Sequence, residues 1–386
     1  MRIVGVYLNP RLSSGGHRRY IELIEGLAQR GNQVILIKSR AFSYRLPRGV
    51  EVVDLDFQRR RGPIPYALQY RAAVRRGAAQ IIAHVGNADF VVVHGETHFF
   101  SGLRIARLVG AHLLFAYRSI VVEEVHMHVR AYPDRRFSAL RLLPVLLKAL
   151  WYERRIGQNA DLLVFQSEFD RESYLSRVPS TRTKTYIVPG NIGGPRFKSE
   201  YRNINQSERL QSAIFVGNLG YRKGFWHLIE AFHMLCRDGV PVRLSVVAAV
   251  DSPRAEEFLR RNDMDGQVEL LGKIVDPLPL MGRSDLVIVP SVFDSYPDVA
   301  LEALHVGTPV IGSRVGGIPH ILHHDELLFE PGSPEAIYLR VKEFYSDQDS
   351  YRRARDLCLH RRQALCFDWA AEWERVMQQC LHWEQG

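Results

Sequence analysis

Short apolar runs alternate with helix-type patterns along most of this 386-residue chain. Between the runs, apolar residues return at helical spacing, as they do over 20–28, 102–108 and about 138–157. A regular alternation of buried strands and amphipathic helices predicts α/β architecture with a doubly wound parallel sheet. The predicted strands of this first series are 1–8, 34–37, 90–93, 112–116 and 162–165.

The alternation stops at about 190–212, where glycine, proline and polar residues accumulate, and then starts again. A turn-rich polar stretch between two periodic series is typical of an inter-domain linker. The chain is long enough for two domains of ordinary size, and a further helix is predicted from residue 367 onward. The second series has predicted strands at 213–216, 242–247, 268–271, 285–289 and 309–311.

Composition restricts the setting in which such a chain works. No stretch approaches the ~18 uninterrupted apolar residues of a membrane span, and residues 1–8 fit a strand better than a signal peptide. The four cysteines form no Cys-x-x-Cys pair and have no histidine partners at zinc-site spacing. We therefore expect a reduced, cytoplasmic protein with no metal site.

Charge is unevenly divided along the chain. Residues 1–200 carry 31 Lys+Arg and 16 Asp+Glu, whereas residues 201–386 carry 20 and 26. A basic first half favours an anionic partner, such as a membrane surface or a lipid-linked diphosphate, although an Arg-rich solvated surface is the alternative. No nucleic-acid recognition motif accompanies the charge. The basic and apolar run 135–151 could lie on an anionic bilayer, but Pro144 interrupts it and a core helix is favoured.

The most informative stretch follows the predicted strand 285–289. The chain turns there and enters a helix, and Ser295 with Asp298 three residues later has the form of a capping box. This spacing predicts a helix start near Tyr296, with Asp294 in the preceding loop and Glu302 about two turns into the helix. Ligands of open α/β sheets bind at the carboxyl ends of the strands, so both carboxylates are candidates for contacting a hydroxyl-rich ligand.

Two glycine-rich turns also follow predicted strands and precede predicted helices. Arg222 and Lys223 lie in the turn 217–224, where backbone amides and two cations could hold an anion; a solvated turn is the alternative. Gly15 and Gly16 follow the first strand, where amides could face an anion or serve only a tight turn. Neither turn has the spacing of a dinucleotide fingerprint or a P-loop.

These motifs together resemble a known family. Asp294, seven intervening residues and Glu302-Ala303, followed by Gly307-Thr308-Pro309-Val310 and then Gly316-Gly317-Ile318-Pro319, resemble the donor site of retaining nucleotide-sugar glycosyltransferases of family four. The Ser-Tyr-Pro-Asp-Val form is similar to a variant of bacterial polysaccharide-building members. The resemblance spans nearly the whole chain and is stronger in the second half.

The resemblance implies the GT-B fold, in which two Rossmann-like doubly wound parallel-sheet domains face a cleft. Residues 1–190 would form the acceptor-binding domain and 191–366 the donor-binding domain, with the last helix, 367–386, packing back onto the first domain. It also implies retention at the anomeric carbon and a sugar transfer that needs no cofactor beyond the nucleotide-diphosphate sugar. The donor would be linked to UDP or GDP, and the acceptor would be a glycan or lipid-linked glycan.

The resemblance further assigns roles to single residues. Lys223 takes the place of the lysine that binds the diphosphate, Asp294 that of the acid that contacts the sugar, and Glu302 that of the acid that contacts the ribose. Asn218 stands where the family has an arginine, and Arg222 is our hypothesis for the replacing charge. Asp294, Lys223 and Arg222 are the expected catalytic residues. The full donor-binding set is Gly15, Gly16, Asn218, Arg222, Lys223, Lys273, Ile274, Asp294, Tyr296, Pro297, Asp298, Val299 and Glu302.

The first domain departs more from the family. Arg118 stands near the place of a frequent family histidine, and we expect it to meet a phosphate or an acidic acceptor. His94 and His98 follow the preceding strand and are further acceptor-binding candidates, although a lone histidine is more often structural. Two other classes stay open: a non-catalytic nucleotide-sugar-binding protein, which the off-pattern Asn218 and Arg118 support, and a sugar-nucleotide epimerase on the same fold. The expected location is the cytoplasm, with peripheral contact at the inner membrane face as one option.

Overall fold

The computed structural model divides the chain into two compact units. Unit 1 comprises Met1–Ile120, Pro144–Pro189 and Asp368–Gly386, and unit 2 comprises Val121–Leu143 and Gly190–Phe367. Side chains at 127–131 and 136–141 are not described, and residues 193–196, 198 and 202–206 of the predicted linker lie outside the described part. The structure describes residues 1–12, 15–44, 46, 49–57, 64–131, 136–179, 183–192, 197, 199–201, 207–248 and 253–382.

Unit 1 is built on a seven-stranded parallel sheet. Its central strands are almost wholly buried because helices cover both faces, which explains their continuous apolar sequence. The strand order is β3-β2-β1-β4-β5-β6-β7, so the direction of winding reverses between β1 and β4. The strands are β1 (Arg2–Tyr7), β2 (Gln33–Ser39), β3 (Val50–Leu55), β4 (Phe90–His94), β5 (His112–Ala116), β6 (Leu162–Phe165) and β7 (Lys184–Ile187).

Seven helices follow these strands in the chain before the second series begins. Each amphipathic helix buries one face, as in the first helix, where Tyr20, Ile24 and Leu27 are at most 2 % exposed. Gly31 ends that helical turn with φ 84°, as expected of a C-terminal glycine. The helices are α1 (Gly15–Gln29), α2 (Tyr66–Arg76), α3 (Ala78–Val85), α4 (Glu96–Val109), α5 (Val121–Ala131), α6 (Arg136–Asn159) and α7 (Glu168–Arg177).

Unit 2 contains a six-stranded parallel sheet in the order β10-β9-β8-β11-β12-β13, which reverses between β8 and β11. Its strands are β8 (Ser212–Val216), β9 (Arg243–Val247), β10 (Val268–Gly272), β11 (Leu286–Val289), β12 (Val310–Ser313) and β13 (Leu328–Phe329). Unit 2 includes α5 from the earlier part of the chain. Its further described helices are α8 (Phe225–Arg237), α9 (Pro253–Arg261), α10 (Leu278–Met281), α11 (Asp298–Val306), α12 (Ile318–Leu322), α13 (Pro334–Ser346) and α14 (Gln348–Leu365).

The last helix, α15 (Trp369–His382), belongs to unit 1 and packs on α1. A Cβ on Gly26 of α1 would come within 2.8 Å of the Ala370 Cβ, so the two helices are in close contact. Arg30 donates hydrogen bonds to Asp368 and Glu374 at 2.6 and 2.7 Å. Apolar packing and paired charges therefore both attach the end of the described chain to its first helix.

The predicted α/β class with two doubly wound parallel sheets is confirmed, while the cleft between two domains stays a prediction. Three strands were missed: β3, β7 and β13, all at sheet edges. The prediction that Pro144 interrupts the run 135–151 was wrong, because α6 continues through Pro144 to Asn159. Arg135 lies outside the described residues, and the exposure of the outer side of α6 is described below.

Candidate functional site

In unit 2, the loops after β8 and β11 meet where the winding reverses. These are the loops that carry the turn 217–224 and the Asp294 segment. A switch point of this kind leaves a crevice at the carboxyl ends of two neighbouring strands, and ligands of open α/β sheets bind there. The sheet topology therefore brings together two motifs that are far apart in the sequence.

Lys223 and Asp294 form an ion pair between these two loops. The Lys223 ammonium donates a hydrogen bond to the Asp294 carboxylate, and the side chains are 20 % and 11 % exposed. A pair largely removed from solvent is less screened than a surface pair, so its charges act strongly on each other and on a nearby ligand. The two residues to which the family resemblance assigns the diphosphate and the sugar are thus in direct contact.

Backbone contacts fix the spacing of the two loops. The Val292 amide donates to the Arg222 carbonyl at 2.9 Å. Gly224 has φ 70°, and a Cβ there would lie 1.7 Å from the Pro290 carbonyl oxygen. Only glycine combines this left-handed conformation with so close an approach of two backbones. The glycine of the Lys-Gly pair is therefore explained by packing between the loops.

A third loop supports the Asp294 backbone from the other side. Gly316 and Gly317 lie so close that a Cβ on either would come within 2.0 Å of the Asp294 or Ser295 carbonyl oxygen. The Gly317 amide also donates to the Asp294 carbonyl at 3.1 Å. The Gly-Gly motif between β12 and α12 thus holds the Asp294 loop in position.

The predicted start of α11 needs correction. The helix begins at Asp298 with the extended residue Pro297 as its N-cap, and no side chain caps it. Tyr296 cannot begin the helix because a residue that precedes proline avoids the helical region. The Ser295 Oγ is buried without a hydrogen-bond partner among the described residues, so the capping box of Ser295 and Asp298 was wrong. Glu302 lies four residues after Asp298, little more than one turn into the helix.

Arg222 lies close to an acidic residue that the sequence analysis did not identify as part of the site. Its guanidinium is 3.7 Å from the carboxylate of Glu124 on α5, and both side chains are partly exposed. The hypothesis that Arg222 replaces the missing family arginine stays a prediction. Nothing in the sequence pattern linked α5 to the turn 217–224, because Glu124 and Arg222 are about a hundred residues apart in the chain.

The remaining predicted donor residues of unit 2 lie around this centre. The Asn218 side-chain oxygen accepts the Gly220 amide at 3.2 Å, so this residue shapes the turn that carries Lys223. Tyr296 is 6 % exposed, whereas Asp298 and Val299 are half-buried. Lys273 and Ile274 follow β10, which β9 separates from β8, so they begin roughly 10 Å along the sheet edge from the centre.

In unit 1, three predicted residues converge at the start of α1. A Cβ on Gly16 would lie 3.5 Å from both the His94 Nε2 and the Arg118 Nε. His94 ends β4, Arg118 follows β5, and Gly16 is in the first turn of α1, next to the reversal between β1 and β4. A helix N-terminus beside a guanidinium offers hydrogen-bond donors and positive potential to an anion. Ser13 and Ser14, which precede Gly15, lie outside the described residues.

His94 and His98 differ in what surrounds them. Burial, with the nearby charges of Arg118, His17 and His98, holds the pKa of the His94 imidazole well below its usual 6.5. His94 is therefore neutral at pH 7, and within the described ranges its Nε2 has no hydrogen-bond partner. His98 is 2 % exposed, accepts the Leu8 amide at its Nε2 and stacks on Tyr70. Direct contact between His98 and an acceptor would require this packing to open.

No group of three or more His, Cys, Asp or Glu side chains that could hold a metal ion occurs among the residues whose positions are described. Among the described helices, none has both the length and the apolar character that crossing a membrane requires.

Two family descriptions match complementary parts of the chain. Residues 13–192 match the description "Glycosyltransferase Family 4", and residues 197–356 match "Glycosyl transferases group 1". The boundary between the matches falls in the segment that separates the two sheets. The site loops of unit 1 therefore lie in the first match and those of unit 2 in the second.

Two curated relatives are similar over most of their length. The chain is 33 % identical over 357 residues to an uncharacterized glycosyltransferase of Methanocaldococcus jannaschii, which covers 88 % of this chain and 87 % of the relative. It is 28 % identical over 385 residues to the GDP-mannose-dependent alpha-(1-6)-phosphatidylinositol dimannoside mannosyltransferase of Mycobacterium tuberculosis, over 96 % of this chain and 93 % of the relative.

Among solved structures, the fold is similar to that of sucrose-phosphate synthase from Thermosynechococcus elongatus. The TM-score is 0.77 at 20 % identity, with 99 % of this chain and 100 % of the other chain covered. At this identity the likeness concerns the fold alone.

Proposed function

Because this chain belongs to the family 4 glycosyltransferases, we propose that it transfers a hexosyl or N-acetylhexosaminyl group from a nucleotide-diphosphate sugar to an acceptor hydroxyl. In this reaction the bond between the anomeric carbon and the phosphate oxygen breaks, and a bond to the acceptor oxygen forms. The acceptor hydroxyl gives up its proton, and the nucleoside diphosphate leaves. We further propose retention at the anomeric carbon, which rests on family membership.

The observation that carries the proposal is the ion pair of Lys223 and Asp294 at the switch point of unit 2. Negative charge develops on the departing diphosphate, and a preorganised cation stabilises it. Lys223 is the proposed cation, with Arg222 and the α11 N-terminus nearby as supporting groups. Asp294 is the proposed acceptor of hydrogen bonds from the sugar, and Glu302 of those from the ribose.

The same pair suggests how the site handles charge before the donor arrives. Asp294 compensates the charge of Lys223, and this contact holds the lysine ammonium in place. A bound diphosphate would compete for this lysine while the sugar hydroxyls engage the carboxylate. In this proposal donor binding replaces one ion pair by two separate contacts, and no metal ion takes part in the charge compensation.

The acceptor side of the proposal uses unit 1. Arg118 and the start of α1 at Gly15 and Gly16 would meet phosphate, and His94 would contact the acceptor as a neutral imidazole. The close grouping of Gly16, His94 and Arg118 supports this assignment. The mycobacterial relative is named as a GDP-mannose-dependent phosphatidylinositol dimannoside mannosyltransferase. We accordingly propose a glycan or lipid-linked glycan acceptor and a UDP- or GDP-linked donor, with work at the cytoplasmic face of an anionic membrane.

Ligand-dependent stabilisation tests the donor assignment first. A bound donor raises the melting temperature because it binds only the folded state. UDP-, GDP- and ADP-linked sugars are compared by thermal shift, and the donor that stabilises most is then supplied in radiolabelled form with lipid extract as acceptor. Labelled product from the native chain and not from Lys223→Ala supports the proposal. Donor binding without product would favour a binding protein, and donor isomerisation without acceptor an epimerase.

A further inference from the structure

The outer side of α6 exposes large apolar side chains. Leu147 and Trp151, one helical turn apart, are 58 % and 46 % exposed, and Lys148, Arg154 and Arg155 lie on the same side of the helix. We refer to these five residues as the α6 outer face. All five belong to unit 1.

The α6 outer face is not needed to hold the helix on its unit. The opposite side of α6 is buried through Ala149, Tyr152 and Ile156, which are at most 5 % exposed. A helix with one fully buried side normally presents polar residues on the other. Two exposed large apolar residues, one of them a tryptophan, on the solvent side of one helix therefore call for a partner.

Aromatic and cationic groups extend this surface beyond α6. The Arg155 guanidinium lies 5.8 Å from the Trp151 ring, and Phe100 of α4 lies 5.4 Å from the same ring. Arg71 of α2 in turn stands over Phe100 at 5.2 Å. Leu68, 49 % exposed, is one helical turn before Arg71 and therefore shares its side of α2.

The charge of this surface is almost entirely positive. α2 has no acidic residue, α4 has only Glu96, and the acid on α6 is Glu153. Glu153 is 2 % exposed and is bound by Arg177, so it adds no negative charge to the outside. The exposed cations on these three helices are Arg75, Arg76, Arg104, Arg107, Lys148, Arg154 and Arg155.

We propose that the α6 outer face docks on an anionic lipid bilayer. The apolar residues would enter the headgroup boundary, where tryptophan is favoured, and the flanking cations would meet lipid phosphates. A second copy of this chain fits less well because two like-charged faces would oppose each other. This inference rests on the proposed function, because an enzyme that is docked on the bilayer can reach a lipid-linked acceptor at the same membrane surface.

Sedimentation with vesicles tests the apolar contribution. The full chain is mixed with vesicles of phosphatidylcholine and phosphatidylglycerol, or of phosphatidylcholine alone, at low salt. We expect binding to the anionic vesicles, and a roughly tenfold loss of affinity for Leu147→Ser because a leucine no longer enters the lipid. Leu339→Ser on α13 is the matched control, since Leu339 is 61 % exposed but lies in unit 2.

A charge variant tests the electrostatic contribution independently. Arg154→Gln combined with Arg155→Gln should weaken binding to anionic vesicles by roughly thirtyfold, since two headgroup contacts are lost. Arg260→Gln with Arg261→Gln on α9 removes the same charge from exposed positions of unit 2 and should have little effect. Added salt should release the native chain from the anionic vesicles and reduce the difference in affinity between the native chain and the Arg154→Gln, Arg155→Gln variant.

The proposal is overturned if the native chain stays in the supernatant with anionic vesicles, or if each test variant behaves like its control. A dimer in analytical ultracentrifugation that Leu147→Ser disperses would assign the face to self-association instead. Sedimentation needs no donor sugar. Vesicle binding without sugar transfer would therefore contradict the proposed function alone, and transfer to a water-soluble acceptor without vesicle binding would contradict the docking face alone.

Discussion

Lys223 and Asp294 are 71 residues apart in the sequence and form a largely buried ion pair between two neighbouring strand ends. Neither residue belongs to a regular strand, and the pairing depends on the backbone contacts of Gly224 and Val292. Because the two charges compensate each other, a substitution of either residue changes the charge that the other presents to a ligand, and the two substitutions can be compared.

Asp294→Asn should strengthen nucleoside diphosphate binding and weaken sugar transfer. The uncompensated Lys223 would attract the diphosphate more strongly, whereas the sugar would lose a charged acceptor. We expect UDP or GDP affinity to rise several-fold, and kcat to fall by roughly 100-fold because one charged hydrogen bond to the transition state is lost. Calorimetry and initial-rate kinetics measure the two effects.

The control for this pair is Asp238→Asn, which removes the carboxylate of the exposed Lys342–Asp238 pair. It should change neither quantity. Lys223→Ala should lower both affinity and kcat, with the larger loss in kcat. Equal nucleotide affinity in Asp294→Asn and the native chain would mean that the pair does not limit access to Lys223.

Gly224→Ala should destabilise unit 2 and abolish donor binding. The added methyl would lie 1.7 Å from the Pro290 carbonyl oxygen, so the two loops must separate. We expect a loss of at least about 3 kcal/mol, from overpacking and the left-handed backbone together. Gly239→Ala is a matched control with φ 69° and open space around its Cβ, and should cost only about 1 kcal/mol. Chemical denaturation compares them, and equal losses would contradict the loop contact.

Glu302→Ala should weaken nucleotide binding roughly tenfold through the loss of hydrogen bonds to the ribose hydroxyls. A nucleotide that lacks both ribose hydroxyls should bind the native chain weakly and be indifferent to the substitution. Glu335→Ala, on the first turn of α13, provides a control on a helix away from the site. If Glu302→Ala weakens both nucleotides equally in calorimetry, the residue acts on the helix and not on the ribose.

Glu25 on α1 makes stability depend on pH. Burial, together with the charge of Glu22, raises the pKa of the Glu25 carboxyl from 4.5 to about 7. Because the folded-state pKa is raised, the folded state is favoured while the group is protonated. This contribution is complete below pH 4.5 and is lost as the pH rises to about 7.

Glu25→Gln should therefore be more stable than the native chain at pH 8, by about 1 kcal/mol after solvent screening is allowed for, and nearly equal at pH 4. Thermal unfolding across this range measures the difference, with the exposed Glu269→Gln as control. A difference that does not change with pH would exclude titration of Glu25 as the cause.

The sequence predicted the central strands and the order of the site motifs because buried parallel strands are continuous apolar runs. The edge strands β3 and β7 were not predicted because they are not continuous apolar runs. β3 and β7 are half-exposed and include Glu51 and Lys184, so their patterns resemble loops. β13 has only two residues.

Within the site, local rules gave the residues but not their contacts. The capping-box pattern predicted a helix start near Tyr296, but Pro297 keeps Tyr296 out of the helical region. One local rule therefore overrides another. The approach of Glu124 to Arg222 depends on how α5 packs, and the hydrophobic periodicity of the sequence does not predict this packing. Likewise, the apolar run in α6 was favoured as core because spacing alone does not tell which side of a helix remains uncovered.

The attachment of α15 to α1 has a consequence during synthesis. Unit 1 includes residues that the ribosome adds only after all of unit 2, so its first helix must wait for a late partner. Unit 2 can complete its own sheet while Gly26 and its neighbours on α1 still face solvent or a chaperone. Unit 1 can therefore bury this face of α1 only after the whole of unit 2 has been synthesised.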